Sequence, residues 1–149
     1  MKINEIELRI IHLPLVRPFR TSFGTETSRE VLMVKVTNEN GTIGWAECVA
    51  MSEPLYSPEY VIGCLDLMKR FLIPALKDKQ DITAENVPGV LRPFLGGQMA
   101  KAALETAILD AQLRDQNVSL ASYLGATKSK VECGVSVGIA NNLEALGEE

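Results

Sequence analysis

The sequence predicts an α+β fold in which an antiparallel meander of three strands is followed by helices. Residues 3–49 contain short apolar runs, several of them β-branched, separated by polar stretches, as is typical of strands. From Ser57 onward the apolar residues recur every three or four positions, as they do on one face of a helix. An alternation with a period of two residues returns at residues 131–139, which predicts a further strand.

The predicted strands lie in three segments. Residues 3–11 form an irregular apolar run, and residues 31–36 form a second run rich in β-branched side chains. Residues 38–41 carry a hairpin turn signal, after which residues 42–49 return as the third strand. Residues 17–28 show neither strand alternation nor a helical stripe, and they are expected to form a long loop.

The first predicted helix begins at Ser57, a candidate N-cap that precedes Pro58. Pro74 is expected to end this helix, because proline inside a helix removes a hydrogen bond. A short helix is predicted over residues 84–91.

The strongest helix is predicted over residues 98–115. Alanines recur along one of its faces, so another backbone can pack closely there. Asp110 is four residues before Arg114, a spacing that favours an ion pair on the helix surface. A short helical turn is predicted over residues 119–125, ended by a glycine. The alanine stripe consists of Ala100, Ala103, Ala107 and Ala111.

The end of the chain predicts a strand followed by the start of a helix. Asn141 or Asn142 can cap a helix over residues 143–146, directly after the strand at 131–139. A parallel partner strand needs a connection of roughly a dozen residues or more, and the chain has no room for one after residue 146. The chain is therefore expected to be the front part of a larger protein.

Charge and composition exclude several classes of function. The net charge is −4, and the lysines and arginines are scattered, which argues against nucleic acid as a partner. No apolar run approaches the roughly 18–20 residues of a membrane span, and the first residues do not resemble a signal peptide. Cytoplasmic localisation without a membrane partner is expected. His12 is the sole histidine, so a metal site with two histidines cannot be built.

Two segments contain candidate binding residues. Phe19 and Phe23 lie in the predicted loop, where the rings could close over a ligand as part of a lid or could pack into the local core. Met51 and Tyr56 follow the third strand and offer adaptable apolar surface and a phenol, although both could be ordinary connector residues.

A third candidate is Ser136, which lies between Gly134 and Gly138 on the small face of the last predicted strand. The two glycines leave room either for a ligand or for close packing of another backbone.

Taken together, these segments resemble the enolase superfamily in its muconate-lactonizing subgroup, and most closely the o-succinylbenzoate synthase / N-acylamino acid racemase family. The resemblance covers the whole chain, and it depends on the combination of motifs because each is weak alone. The motifs are PFRTSFG at residues 18–24, GTIGWAE at 41–47, AxxAxExAxxD at 100–110, residues 119–125, and GVSVGI at 134–139.

The resemblance implies an enolase-type N-terminal capping domain over residues 1–125. Residues 126–149 would then begin an incomplete (β/α)7β barrel, and the strand at 131–139 would be its first strand. In such enzymes two loops of the cap and the ends of the barrel strands surround the substrate. By position, the substrate-binding residues would be Phe19 and Phe23 in the first loop, Met51 and Tyr56 in the second, and Ser136 on the strand.

The implied function is that of a substrate-specificity cap of a Mg2+-dependent o-succinylbenzoate synthase, a lyase of menaquinone biosynthesis, with N-acylamino acid racemase activity as a further option. Such enzymes abstract a proton α to a carboxylate and stabilise the resulting enediolate with Mg2+ and lysine. The family takes its catalytic lysines and metal ligands from later barrel strands, and no lysine follows Lys130. This chain alone is therefore expected to hold no catalytic residue and no metal, and to be inactive.

The expected partners are a small-molecule carboxylate substrate and the remainder of the barrel, with a homo-oligomer left open. The chain would be a fragment of a longer enzyme or a truncated gene product. Two other interpretations stay open: a non-catalytic binding or assembly module, and the cap of another subgroup member such as a dipeptide epimerase or muconate cycloisomerase.

Overall fold

A three-stranded antiparallel sheet forms one layer of the molecule. The computed structural model describes residues 1–22, 24–135 and 139. Strands β1 (Ile3–Thr21), β2 (Gly24–Asn38) and β3 (Ile43–Cys48) lie in this order in the sheet. The predicted meander is therefore confirmed.

Helices cover one face of this sheet. They are α1 (Val61–Leu67), α2 (Ile73–Lys77), α3 (Val87–Leu91), α4 (Gln98–Asp115) and α5 (Leu120–Tyr123), and a π-helical turn, Met68–Leu72, joins α1 to α2. The predicted bounds of α4 are confirmed, and the first helix begins at Val61, after its N-cap Tyr60, and not near Ser57.

The expectation that Pro74 ends the first helix is wrong. The helical path continues beyond this proline to Lys77. Directly before Pro74, the N–H of Ile73 donates to the carbonyl of Met68, five residues earlier. A proline ring inside an α-helix collides with the carbonyl four residues before it, and a π-helical turn is wider than an α-helical turn. The wider turn at this point accommodates the ring.

The core lies between the sheet and the helices, and α4 packs most extensively against the sheet. In the sheet, the buried Leu32, Val34 and Val36 of β2 are paired with three residues of β3 on the same face. Those partners are Cys48, Ala46 and Gly44. All four alanines of the α4 stripe are buried against this face, which confirms the predicted close packing.

A network of hydrogen bonds fastens the β2–β3 turn to the end of α4. The side-chain oxygen of Asn38 accepts the N–H groups of Asn40 (3.0 Å) and Thr42 (2.8 Å). The carboxylate of Asp115 accepts from the Thr42 hydroxyl at 2.7 Å and from the Asn40 amide at 3.2 Å. Because these donors stabilise the ionised form, they lower the pKa of Asp115.

We expect Asp115→Asn to make stability less dependent on acid pH. A carboxylate whose folded-state pKa is depressed contributes stability above its unfolded pKa and loses it as pH falls through the folded pKa. The gap in unfolding free energy between wild type and Asp115→Asn should therefore close as pH falls below the usual range of aspartate. Urea unfolding across this range measures it. Asp78→Asn is the control, since the Asp78 carboxylate bonds to no described residue. If the difference in unfolding free energy between wild type and Asp115→Asn did not change with pH, the stabilising role of the Asp115 hydrogen bonds would be rejected.

The strand expected at residues 131–139 is not formed by the described part of that segment. Residues 131–135 and 139 have no strand structure, and Val131 and Val135 are exposed. A strand is held by hydrogen bonds to a neighbouring strand, and no described strand pairs with these residues. Residues 136–138 and the helix expected at 143–146 lie outside the described residues.

Candidate functional site

The end of the β1–β2 hairpin forms one side of the candidate site. Phe19 pairs with Glu26, and Thr21 pairs with Gly24, so strand pairing continues almost to the turn. The long loop predicted at residues 17–28 is therefore wrong. Pro18 and Gly24 interrupt the side-chain alternation, and most of this segment is exposed, so no buried face imposes a period of two on the sequence.

A long irregular bulge separates this hairpin end from the rest of the sheet. Pro14 pairs with Ser28, and the next pair is Phe19 with Glu26. Residues 15–18 of β1 therefore lie opposite Thr27 alone. A bulge of this kind bends a strand and increases its local twist, so the hairpin end can turn away from the plane of the core sheet.

The loop at residues 51–60 forms the other side of the site. A bridge between Met51 and Tyr60 closes it at its base, and the Val61 N–H donates to the Met51 carbonyl at 2.9 Å. The loop carries Tyr56, whose side chain is 73% exposed. A closed base with an exposed tip is suited to presenting side chains to a ligand.

A cavity of about 590 Å³ lies between the hairpin end and this loop. Its size falls in the range of about 300–1,000 Å³ that is usual for small-molecule sites. Phe19, Met51 and Tyr56 all line it, so the structure brings together three of the five candidate residues from two separate segments. Val49 and Met99 add further apolar surface.

The exposure of Phe19 distinguishes a ring that is available to a ligand from a ring that packs into the local core. Its side chain is 42% exposed and does not belong to the buried core, so Phe19 does not pack as a core residue here. Phe23 and Ser136 lie outside the described residues. Nearby, the Ile139 N–H donates to the Arg20 carbonyl at 3.0 Å, which places residue 139 against the hairpin end.

Glu59 connects the loop at 51–60 to helix α4, a role that no sequence motif indicates. Its carboxylate accepts the N–H groups of Gln98 and Met99, both at 2.9 Å, and that of Ala100 at 3.4 Å. The first N–H groups of a helix have no acceptor within the helix itself, and negative charge is favourable at this end. The residue before α4 is Gly97, which has no side chain to accept them. The acceptor therefore comes from about 40 residues away, and no local spacing could have revealed it.

The environment of Glu59 also includes a buried thiol. Cys64 donates to Oε2 of Glu59 at 3.7 Å. A hydrogen bond with the Cys48 thiol, burial, and the nearby Glu59 carboxylate raise the pKa of Cys64. Because Cys64 stays a neutral thiol, it can keep donating to the carboxylate.

Metal-ligating side chains do not gather in the part of the chain that the structure describes. No group of three or more His, Cys, Asp or Glu side chains there is placed to hold a metal ion. The described residues therefore do not form the Mg2+ site, which the resemblance places on later barrel strands. In the same part of the chain, no helix is both long and apolar enough to span a membrane.

The fold defines the class of the protein. A three-stranded antiparallel sheet followed by helices matches the N-terminal capping domain of the enolase superfamily. The chain belongs to the mandelate racemase / muconate lactonizing enzyme family, whose N-terminal domain model matches residues 5–125.

Similar proteins carry two kinds of names. The chain is 49% identical to an N-succinylamino acid racemase from Amycolatopsis sp, over 98% of this chain and 39% of that protein. It is 37% identical to the o-succinylbenzoate synthase of Bacillus subtilis (strain 168), over 94% of this chain and 38% of that protein. The chain thus spans about two fifths of the length of these curated relatives.

A similar solved structure comes from Listeria innocua and is described as a member of the enolase superfamily. It superposes with a TM-score of 0.91 at 33% identity, and the match covers 99% of this chain and 40% of the other. The capping-domain fold is therefore confirmed.

Proposed function

We propose that this chain is the N-terminal specificity cap of a Mg2+-dependent enzyme that abstracts a proton α to a carboxylate. The proposed reactions are dehydration to o-succinylbenzoate and racemisation of N-acylamino acids, since the similar proteins carry names of both kinds. The observation that carries the proposal is the cavity in which Phe19, Met51 and Tyr56 converge from the two cap segments.

In this proposal the cap binds and orients the substrate, and chemistry belongs to the remainder of the barrel. Residues 1–125 form the cap, and residues 126–149 begin the barrel, where Ser136 faces the substrate. Mg2+ would be held by later barrel strands and would stabilise the enediolate formed on proton loss. The apolar walls at Phe19 and Met51 would receive the acyl part of the substrate and exclude water from it.

We expect Phe19→Ala and Tyr56→Ala to raise KM in the full-length enzyme by about 10- to 100-fold. An apolar ring buried by a substrate contributes about 1.5–3 kcal/mol, and a loss of binding that is equal in ground and transition states appears in KM and not in kcat. Steady-state kinetics of both reactions, together with thermal melting, separates binding from stability.

Phe71→Ala is the matched control for Phe19→Ala. It is also 42% exposed, and its ring packs beside Phe94 and does not line the cavity. Its KM should stay within twofold of wild type. If Phe19→Ala lowered the melting temperature without changing KM, the proposed contact between Phe19 and the substrate would be rejected. A full-length protein that is folded and inactive in both reactions would instead favour a non-catalytic binding module.

A further inference from the structure

We propose that Arg29 selects substrates whose acyl group ends in a second carboxylate, by pairing with that carboxylate in the cavity. This inference rests on the proposed function. Arg29 lies on β2 opposite Leu13, at the base of the bulged hairpin. Its side chain lines the same cavity as Phe19, Met51 and Tyr56.

Arg29 is the single cationic side chain on this cavity wall among the described residues. Its guanidinium makes no hydrogen bond or ion pair with any described residue. It is also exposed, so an anion from solvent can reach its guanidinium. The structure therefore leaves one unpaired positive charge at a cavity whose other walls are largely apolar.

Two carboxylates border the same cavity, and neither forms an ion pair with Arg29. Both oxygens of Glu59 accept N–H groups from the start of α4. Glu26 is half-buried and forms no ion pair with Arg29. Glu26 would repel an anion placed beside it, so an incoming carboxylate is expected to bind on the Arg29 side of the cavity.

The chemistry of the guanidinium identifies the substrate group. Arginine presents paired N–H donors in a planar arrangement that matches a carboxylate, and such bidentate pairs are among the strong hydrogen bonds of proteins. An exposed pair in water contributes little, but a substrate that fills the cavity replaces water with apolar walls and strengthens the attraction. In the proposed function the reacting carboxylate lies at the barrel, so the group that reaches Arg29 is at the opposite end of the substrate.

The test compares two acyl groups on one amino acid in the full-length protein. N-succinyl amino acids carry the second carboxylate, and N-acetyl amino acids lack it. We expect Arg29→Met to lower kcat/KM for the succinyl substrate by about 10- to 100-fold, mainly by raising KM. For the acetyl substrate, kcat/KM of the variant should stay within about twofold of the wild-type value. Arg29→Lys should lie in between, because lysine keeps the charge and loses the bidentate geometry.

Arg92→Met is the control, because the Arg92 side chain is exposed, makes no hydrogen bond or ion pair with any described residue and lies outside this cavity. The inference is overturned if Arg29→Met lowers kcat/KM equally for both substrates, or if the wild type does not prefer the succinyl substrate. If the wild type catalyses neither reaction, the proposed function fails. Calorimetric binding of the N-succinyl and N-acetyl compounds then decides the role of Arg29 separately: loss of succinyl binding in Arg29→Met supports it, and equal binding overturns it.

Discussion

Replacing Gly44 with alanine is expected to destabilise the protein by about 3 kcal/mol, at the upper end of what overpacking a core usually costs. A Cβ at this position would lie 2.2 Å from the carbonyl oxygen of Ala107 and 2.3 Å from the backbone nitrogen of Ala111. Both are backbone atoms of α4, so no side chain can rotate away. The sheet and the helix would have to separate, which would open the core that they share.

Gly89→Ala is the matched control for this experiment. Gly89 lies in α3, and a Cβ there would meet no atom within 4 Å. Because alanine is the better helix former, this variant should be as stable as wild type or more stable by up to about 1 kcal/mol. Urea unfolding of both variants provides the measurement. A Gly44→Ala protein with an unchanged midpoint would show that β3 and α4 do not pack as closely as described.

Replacing Glu59 with alanine is expected to cost about 2 kcal/mol of stability, because hydrogen bonds to charged groups and helix caps each contribute about 1–3 kcal/mol. The variant would leave the first N–H groups of α4 without their acceptor. It would also release the loop at 51–60 from the helix. In the full-length enzyme we therefore expect KM to rise, since Met51 and Tyr56 are carried by this loop.

Two further variants test whether the loss of stability comes from the charge and hydrogen bonds of Glu59. They are Glu59→Gln and Glu53→Ala. Glutamine keeps one acceptor oxygen and loses the charge, so Glu59→Gln should lose about half of the stability that the alanine variant loses. Glu53 lies in the same loop, is exposed and bonds through its side chain to no described residue, so Glu53→Ala should unfold like wild type. Equal melting temperatures for wild type and Glu59→Ala would refute the capping role.

The parts of the fold that depend on local spacing could be predicted from the sequence. Helix α4 follows from alanines that recur at helical spacing and from the Asp110–Arg114 pair, whose side chains lie 2.9 Å apart. The β2–β3 turn follows from residues that favour turns. Each of these signals is contained within a few residues, so it does not require knowledge of the packing.

The candidate site was predictable only in part, because its geometry depends on residues far apart in the chain. Met51 and Tyr56 could be selected as apolar and aromatic groups in a connector, but their approach to Phe19 requires the long hairpin. The cap at Glu59 and the position of Arg29 also arise from tertiary contacts. Pro74 misled the prediction for a similar reason, since the rule that proline ends a helix takes no account of a π-helical turn before it.

The bulge at residues 15–18 has a consequence for how this cavity can change in evolution. The base of the hairpin keeps its register through core pairs such as Leu8 with Val34, while the tip keeps its own register through Thr21 and Gly24. A residue gained or lost within the bulge changes only the unpaired length between these two zones. Insertions and deletions there can therefore reshape the mouth of the cavity in descendant sequences while the packed interior is inherited unaltered.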